Sequence, residues 1–243
     1  MNNVIQFPNR RAQLMLLSYN KYATASTFKN HHEPRCAVDE NNQTSWLSES
    51  GCAGEWFRLD LGTQKNVYAV HIKSAFVSNC NLFGSVDGKE FTLLVDQTEA
   101  QKEQHSGTII FESGRRLRFL KLELVHDVPG CFSIDEFRVY GFGNGNVPGK
   151  VENPFAFKSS STKATVCWNK VSTAVGYSVR FGSDPERLYN SKSVYNADSL
   201  SFDFLSGETC YYAVDSFNEN GITKGDINVI HTVMTNNKIR KVQ

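Results

Sequence analysis

The sequence predicts an all-β chain made of two β-sandwiches, and three observations predict it. Apolar and polar residues alternate in short runs, the period of a half-buried strand, and no stretch carries a helical repeat. Turn residues separate the runs. The plainest case is Asp87-Gly88, between Phe83-Gly84-Ser85-Val86 and Phe91, where a type I′ hairpin needs positive φ at both central positions. Finally, Gly141 to Gly149 holds four glycines and one proline in nine positions, a linker composition that divides the chain.

Composition narrows the function classes. A length of 243 residues allows one or two domains, and 40% hydrophobic with 12% aromatic residues is enough for real cores. The formal net charge is +1, and the only basic block is the short Lys238-Ile239-Arg240-Lys241, which argues against nucleic acid as a partner. No apolar run approaches the roughly 18 residues of a membrane span. Arg10 and Arg11 precede only the apolar patch Met15-Leu16-Leu17, a poor signal peptide. The chain is therefore expected either to stay inside the cell or to be cut from a longer one.

Six cysteines (Cys36, Cys52, Cys80, Cys131, Cys167, Cys210) form no CxxC or Cys/His zinc spacing. If Trp168 faces the core, Cys167 faces outward. Cys210, in phase with Tyr212 and Val214, faces inward, so parity argues against a Cys167–Cys210 bridge. The other four are read as either thiols or bridges.

In chain order, residues 1–17 read as a linker or the end of an upstream module. His31-His32 has no third ligand nearby and reads as a solvated loop. From Ala37 to Trp46, Asp39, Asn41, Asn42 and Thr44 place oxygen-bearing side chains between apolar Val38 and Trp46. A segment pinned at both ends by buried residues must curl, so its carbonyls and polar side chains converge. A hard cation takes 6–8 such oxygens at about 2.3–2.6 Å. The competing reading is a polar turn in which Asp39 and Thr44 bond to local backbone. In Gly54 to Gly62, Trp56, Arg58 and Asp60 alternate with Phe57, Leu59 and Leu61, a strand pattern. Val67 to Lys73, Arg118 to Val125 and Ile134 to Gly141 repeat it.

These runs resemble the discoidin family, also called factor V/VIII type C or galactose-binding-like domains. Asn20 to Thr27 is similar to the family's N-K-x-x-T-A-S-S. Ala37 to Trp46 is similar to its A-hydrophobic-D-G-D/N-x-x-T-x-W, with Glu40 where glycine is usual. Gly54 to Gly62 follows G-E-W-hydrophobic-x-hydrophobic-D-L-G, Ser85 to Phe91 follows S-x-D-G-x-x-W with Phe91 for Trp, and Ile134 to Gly141 follows I-x-E-hydrophobic-x-V-Y-G. The resemblance covers residues 18–142 and implies a jelly-roll β-sandwich. It also implies a structural Ca2+ held by the Asp39 and Glu136 carboxylates, the Thr44 hydroxyl and the carbonyls of Cys36, Asn41 and Asp135. Trp46 and Trp56 stand on motif positions that usually pack in the core.

Sugars are gripped by an aromatic face and planar hydrogen-bonding side chains at one rim of such sandwiches. The expected rim loops are Leu47–Gly54, Lys73–Asn81 and His126–Phe132. They offer Phe76, Asn79, Asn81, His126 and Phe132 as carbohydrate-binding candidates.

Residues 143–152 read as the Gly-rich linker, 153–236 as the second domain and 237–243 as a charged tail. Ala164-Thr165-Val166-Cys167-Trp168, Gly176-Tyr177-Ser178-Val179-Arg180-Phe181-Gly182 and Ser216-Phe217-Asn218-Glu219-Asn220-Gly221 resemble strands B, C and F of a fibronectin type III domain, an immunoglobulin-like sandwich. Cys210 stands where that family has its corner tyrosine.

The order of modules, together with Gln13 to Lys21, resembles the C-terminal region of bacterial family 43 glycoside hydrolases of xylosidase or arabinofuranosidase type. There it follows a propeller that carries the catalytic carboxylates. No such propeller lies in this chain, and a glycosidase needs a positioned carboxyl pair. The expectation is a non-catalytic, carbohydrate-binding accessory region of a secreted, periplasmic or cell-surface hydrolase. Its expected partners are a glycan or polysaccharide and an upstream catalytic domain, with no nucleic acid and no membrane span. Two alternatives stand beside it: a structural module packed on that catalytic domain, and a stand-alone adhesion or glycan-recognition protein.

Overall fold

A computed structural model describes residues 13–74, 79–96, 106–205, 207 and 209–230. The chain forms two compact units, Met1–Gly145 and Asn146–Gln243, and both are all-β. Among the described residues no helix is long and apolar enough to cross a membrane.

The first unit comprises β1 (Met15–Leu16), β2 (Tyr22–Ala25), a 3-10 turn (Pro34–Ala37), β3 (Trp46–Leu47), β4 (Trp56–Lys73), β5 (Cys80–Ser85), β6 (Thr92–Asp96), β7 (Ser106–Leu124), β8 (Ser133–Ile134) and β9 (Glu136–Phe142). Two long strands, β4 and β7, run through both layers of a jelly-roll sandwich. The start of β4 pairs with β2 and with the end of β7, which also pairs with β5. The end of β4 pairs with β9 and with the start of β7. The register slips between Asp60 and Lys65, where Gly62 sits at φ +81° and lets the strand bend. On β4, Phe57, Leu59 and Leu61 point into a core shared with Trp46, Leu82, Leu120, Leu122 and Phe137.

Two expectations for this unit are corrected. Residues 1–17 are not wholly a linker, because Met15 and Leu16 form β1 against β9 and Leu17 is fully buried. This apolar triplet supplies an edge strand and a core plug. The Asp87-Gly88 turn is not type I′, since Gly88 has φ +77° but Asp87 is not among the positive-φ residues. Instead Asp87 Oδ1 accepts the backbone N–H groups of Lys89 (2.9 Å) and Glu90 (3.1 Å), shaping a longer loop between β5 and β6.

The second unit comprises β10 (Phe155–Lys158), β11 (Lys163–Cys167), β12 (Gly176–Gly182), β13 (Asn190–Tyr195), β14 (Ser199–Asp203), β15 (Tyr211–Asn218), β16 (Gly221–Thr223) and β17 (Asn228–Val229). One sheet runs β10-β11-β14. The other runs β13-β12-β15-β16, with β17 also on β15. Their inner faces close over Val166, Trp168, Tyr177, Val179, Phe202, Tyr212 and Val214.

The glycine-rich segment 143–152 is shared between the units. Lys65 Nζ donates to Asn144 Oδ1 at 2.8 Å in the first. In the second, Ser216 Oγ donates to the Gly149 carbonyl (2.6 Å), Asn218 Nδ2 donates to the Asn146 carbonyl (3.0 Å) and Val151 is buried. The tail 237–243 lies outside the described residues. None of the six cysteines is joined in a disulfide. Cys210 faces the core and Cys167 is half-buried between inward Val166 and Trp168, as parity requires.

Candidate functional site

The loop after the 3-10 turn is pinned as its sequence demands, with Val38 and Trp46 both buried. Between them it curls around Asp39. Asp39 Oδ1 accepts the backbone N–H of Asn41 at 3.0 Å, and the Thr44 hydroxyl lies 3.0 and 2.9 Å from the two Asp39 oxygens. Thr44 also returns its backbone N–H to the Asn41 carbonyl at 3.0 Å. Glu40 sits at φ +57°, so the backbone keeps the left-handed conformation that glycine would take without cost. Its carboxylate accepts Arg138 Nε at 2.7 Å. The neighbouring cleft, about 320 Å3, is lined by Asn20, His31, Glu33, Arg35, Cys36, Asp39 and Thr44.

Glu136 reaches this loop from β9. Its side chain is fully buried, and neither carboxylate oxygen has a hydrogen-bond partner. The nearest cation is Arg138, whose Nη2 is 3.8 Å from Oε1. Burial pushes the Glu136 carboxyl up to about 7. The charges of Glu40 and Asp39 add to this, and Arg138 and the more distant Glu40 backbone N–H only partly oppose it. Tyr19 and Cys36 are likewise held above their ordinary values, by burial first and then by the charge of Asp39. The region thus holds an unpartnered buried carboxylate beside acidic neighbours, an arrangement that costs several kcal/mol unless the group neutralises or finds a cation.

This donor set fits a hard cation. The expected ligands include only two acidic side chains, and among the described residues no three His, Cys, Asp or Glu side chains gather as a metal cluster. The remaining groups of the set are a hydroxyl and backbone carbonyls, which are oxygens suited to calcium. Asp135, whose carbonyl belongs to the set, pairs its own side chain with Lys73 at 3.4 Å.

The rim loops are tied to one another. Val128 donates to the Gly51 carbonyl (2.8 Å), Gly54 to that of Leu124 (2.8 Å) and Val125 to that of Asn79 (2.8 Å). Ala53 N–H donates to Asp127 Oδ1 at 2.7 Å. Beneath them Glu55, nearly buried, receives the hydroxyls of Ser26, Thr27 and Ser50. Burial acts to raise its pKa, but these three donors outweigh it and hold the carboxyl below its usual range.

Of the expected sugar contacts, His126 is exposed on this rim and Asn79 is half-buried beside it. Asn81 lies on β5, on the sheet face, with its amide against Asp96 Oδ1 at 3.0 Å. Phe132 is corrected: it is fully buried and packs edge-on against Trp46 at 5.2 Å, so no sugar can reach it. Phe76 lies outside the described residues. The loop pair His31-His32 is held locally, His32 Nδ1 lying 3.1 Å from the Ser45 carbonyl.

Trp46 is in the core, its Nε1 donating to the Thr27 carbonyl at 3.1 Å. Trp56 is not. It is half-buried on the outward face of β4, in phase with Arg58 and Asp60, while Phe57 and Leu59 point inward. The alternation in the sequence carried that signal, and the usual place of the motif tryptophan obscured it. The Glu40–Arg138 pair and the Glu55 hydroxyl cradle have no local sequence signal.

The model of the F5/8 type C domain matches residues 22–137. No curated protein matches the chain. Among solved structures, chitosan-binding module 1 of a chitosanase/glucanase from Paenibacillus sp. IK-5 aligns at 25% identity, covering 52% of this chain and 99% of that module, with a TM-score of 0.47. The family 32 carbohydrate-binding module of C. perfringens NanJ, solved with galactose, aligns at 20% identity over 53% of this chain and 99% of that one, TM-score 0.47. A Streptococcus pneumoniae fucose-binding module, SpX-3, aligns at 14% identity over 54% and 100%, TM-score 0.45.

Proposed function

With residues 22–137 forming an F5/8 type C domain, we propose that this chain is a non-catalytic, glycan-binding accessory region of a secreted bacterial glycoside hydrolase of the family 43 type. The observation that carries the reading is the rim on which loops 47–54 and 126–132 and Asn79 are bonded into one frame, with His126 presented to solvent. A frame already fixed before binding spends little conformational entropy on its ligand. The strand orders β10-β11-β14 and β13-β12-β15-β16 support reading the second unit as a fibronectin type III domain.

A calcium ion is part of the proposal. Asp39, Glu136, the Thr44 hydroxyl and the carbonyls of Cys36, Asn41 and Asp135 would hold it, and it would supply the positive charge that buried Glu136 lacks. Asp39 and Thr44 hold the loop curled, and the Glu40–Arg138 pair fastens that loop to β9.

Calorimetry with galactosides, xylans and arabinans tests the reading. Binding is expected, and His126→Ala should weaken it about tenfold or more, a loss of ~1.4 kcal/mol. A folded wild type that binds none of these at millimolar concentration overturns it. A second reading, a module that packs on an upstream catalytic domain, is favoured by Phe155 and Phe157, which are 60% and 41% exposed on edge strand β10. It predicts an isolated chain that self-associates through that face, and a monodisperse chain sinks it.

A further inference from the structure

The outward face of the first sheet carries a second group of sugar-compatible side chains, starting where the rim loops end and running down the strands. Three strands bring them together. Arg58 on β4, Lys121 on β7 and Phe83 on β5 are directly opposed in register, and so are Trp56, Glu123 and Asn81 in the next row. Successive residues of a strand point to opposite faces. The intervening Phe57, Leu82 and Leu122 fill the core, so these two rows share the solvent side.

Within the rows, aromatic and cationic groups interleave. Lys121 Nζ lies 5.8 Å from the Trp56 ring and 5.8 Å from the Phe83 ring, and the Arg58 guanidinium is 5.7 Å from Trp56. The charges are not equally satisfied. Lys121 is bonded to Glu123, and neighbouring Arg118 forks both oxygens of Asp60 at 2.8 Å. Arg58, among the described residues, bonds no carboxylate, and its Nε donates only to the Thr24 hydroxyl at 3.2 Å. The face therefore has one guanidinium with fork donors to spare, set beside an indole.

An indole face accepts the C–H side of a pyranose ring, and a guanidinium recognises a carboxylate through two parallel hydrogen bonds. Asn81 and Glu123 stand in the same row for hydroxyls. We infer that this sheet face is a second glycan site, selective for polysaccharides bearing uronic acids, with the sugar ring on Trp56 and its carboxylate on Arg58. The inference rests on the glycan-binding reading above but uses neither His126 nor Asn79. The Arg58 guanidinium, which forks no carboxylate among the described residues, is what favours an acidic over a neutral chain.

The test is affinity electrophoresis and calorimetry with polygalacturonate and glucuronoxylan against neutral galactan and debranched arabinan. It compares the wild type with Trp56→Ala, Arg58→Gln and His126→Ala, each verified as folded by thermal unfolding. Acidic polymers should bind at least about tenfold tighter than neutral ones, and their binding should weaken as salt rises from about 0.1 to about 1 M. Trp56→Ala and Arg58→Gln should each remove that preference, and His126→Ala should leave it. If Trp56→Ala does not fold, Arg58→Gln alone decides, because among the described residues the one side-chain hydrogen bond of Arg58 goes to the Thr24 hydroxyl. Equal binding of acidic and neutral polymers, or acidic binding unchanged in Arg58→Gln, overturns the inference. Glycan binding that only His126→Ala removes leaves the rim reading standing and this one lost. A wild type that binds no glycan ends both.

Discussion

Each unit buries a carboxylate on a strand, and the two are treated in opposite ways. Asp215, on β15, is 1% exposed. It accepts Arg180 Nε and Nη2 at 2.7 and 3.0 Å, Lys224 Nζ at 2.8 Å and the Gly225 backbone N–H at 2.9 Å. Burial works to raise its pKa, and these donors more than reverse it, so it ends below its usual value. Glu136, on β9, is equally buried, has no partner at normal hydrogen-bond distance and is raised to about 7. Burial alone therefore does not mark a functional carboxylate. A carboxylate whose lone pairs are all taken is finished as structure. One without close donors stays costly until it takes up a proton or a cation.

That contrast can be broken from either side. The largest effect should come from Asp215→Ala, which strands Arg180 and Lys224 and should cost the second unit about 3 kcal/mol in denaturant unfolding. A cost below about 1 kcal/mol would put Asp215 among ordinary surface pairs. Next is calcium against EDTA: at about a hundredfold excess over Kd the ion should stabilise the first unit by ~2.7 kcal/mol. Asp39→Ala and Glu136→Gln should both abolish the response, whereas a Glu136→Gln protein that still responds would show the ion is held elsewhere.

The pH dependences in EDTA should have opposite signs. Asp215 has a folded pKa below its unfolded value, so its contribution is present above about pH 3.9 and is lost as pH falls through the folded pKa. Glu136 has a folded pKa of about 7, above an unfolded value of about 4.3. Its contribution is full below the unfolded value and is lost as pH rises toward about 7. Following the two units' transitions separately should show this crossing, and Glu136→Gln should flatten only the first. The smallest effect belongs to Glu40→Gly, which relieves a left-handed residue worth about 1 kcal/mol but frees Arg138 from its partner, for a net change under about 1 kcal/mol by thermal unfolding.

Much of the architecture was legible from alternation alone. The run Gly176 to Gly182 is a strand end to end, and the outward set Trp56, Arg58, Asp60 is written in the sequence. Alternation gives the outward face of Trp56 as well, and only the usual family position of that tryptophan points it into the core. Phe132 failed for a related reason: a loop residue next to a rim can still turn inward when Trp46 offers it an edge. The facing of Glu136 and Asp39 came only from resemblance, because no local pattern links residues that meet when β9 docks. The Glu40–Arg138 pair had no such guide and went unseen. Met15 and Leu16 looked like linker because a two-residue strand carries no measurable period.

That short strand sets a schedule. Met15 lies against Gly141 in register, so the first described strand of the unit pairs with its last. At about 5–20 residues per second, Leu17 waits on the order of ten seconds for the floor it will rest on. Until β9 emerges the end of β4 lacks its neighbour on that side and Met15, Leu16 and Leu17 lack theirs, the circumstances in which a chaperone or a neighbouring chain can intervene.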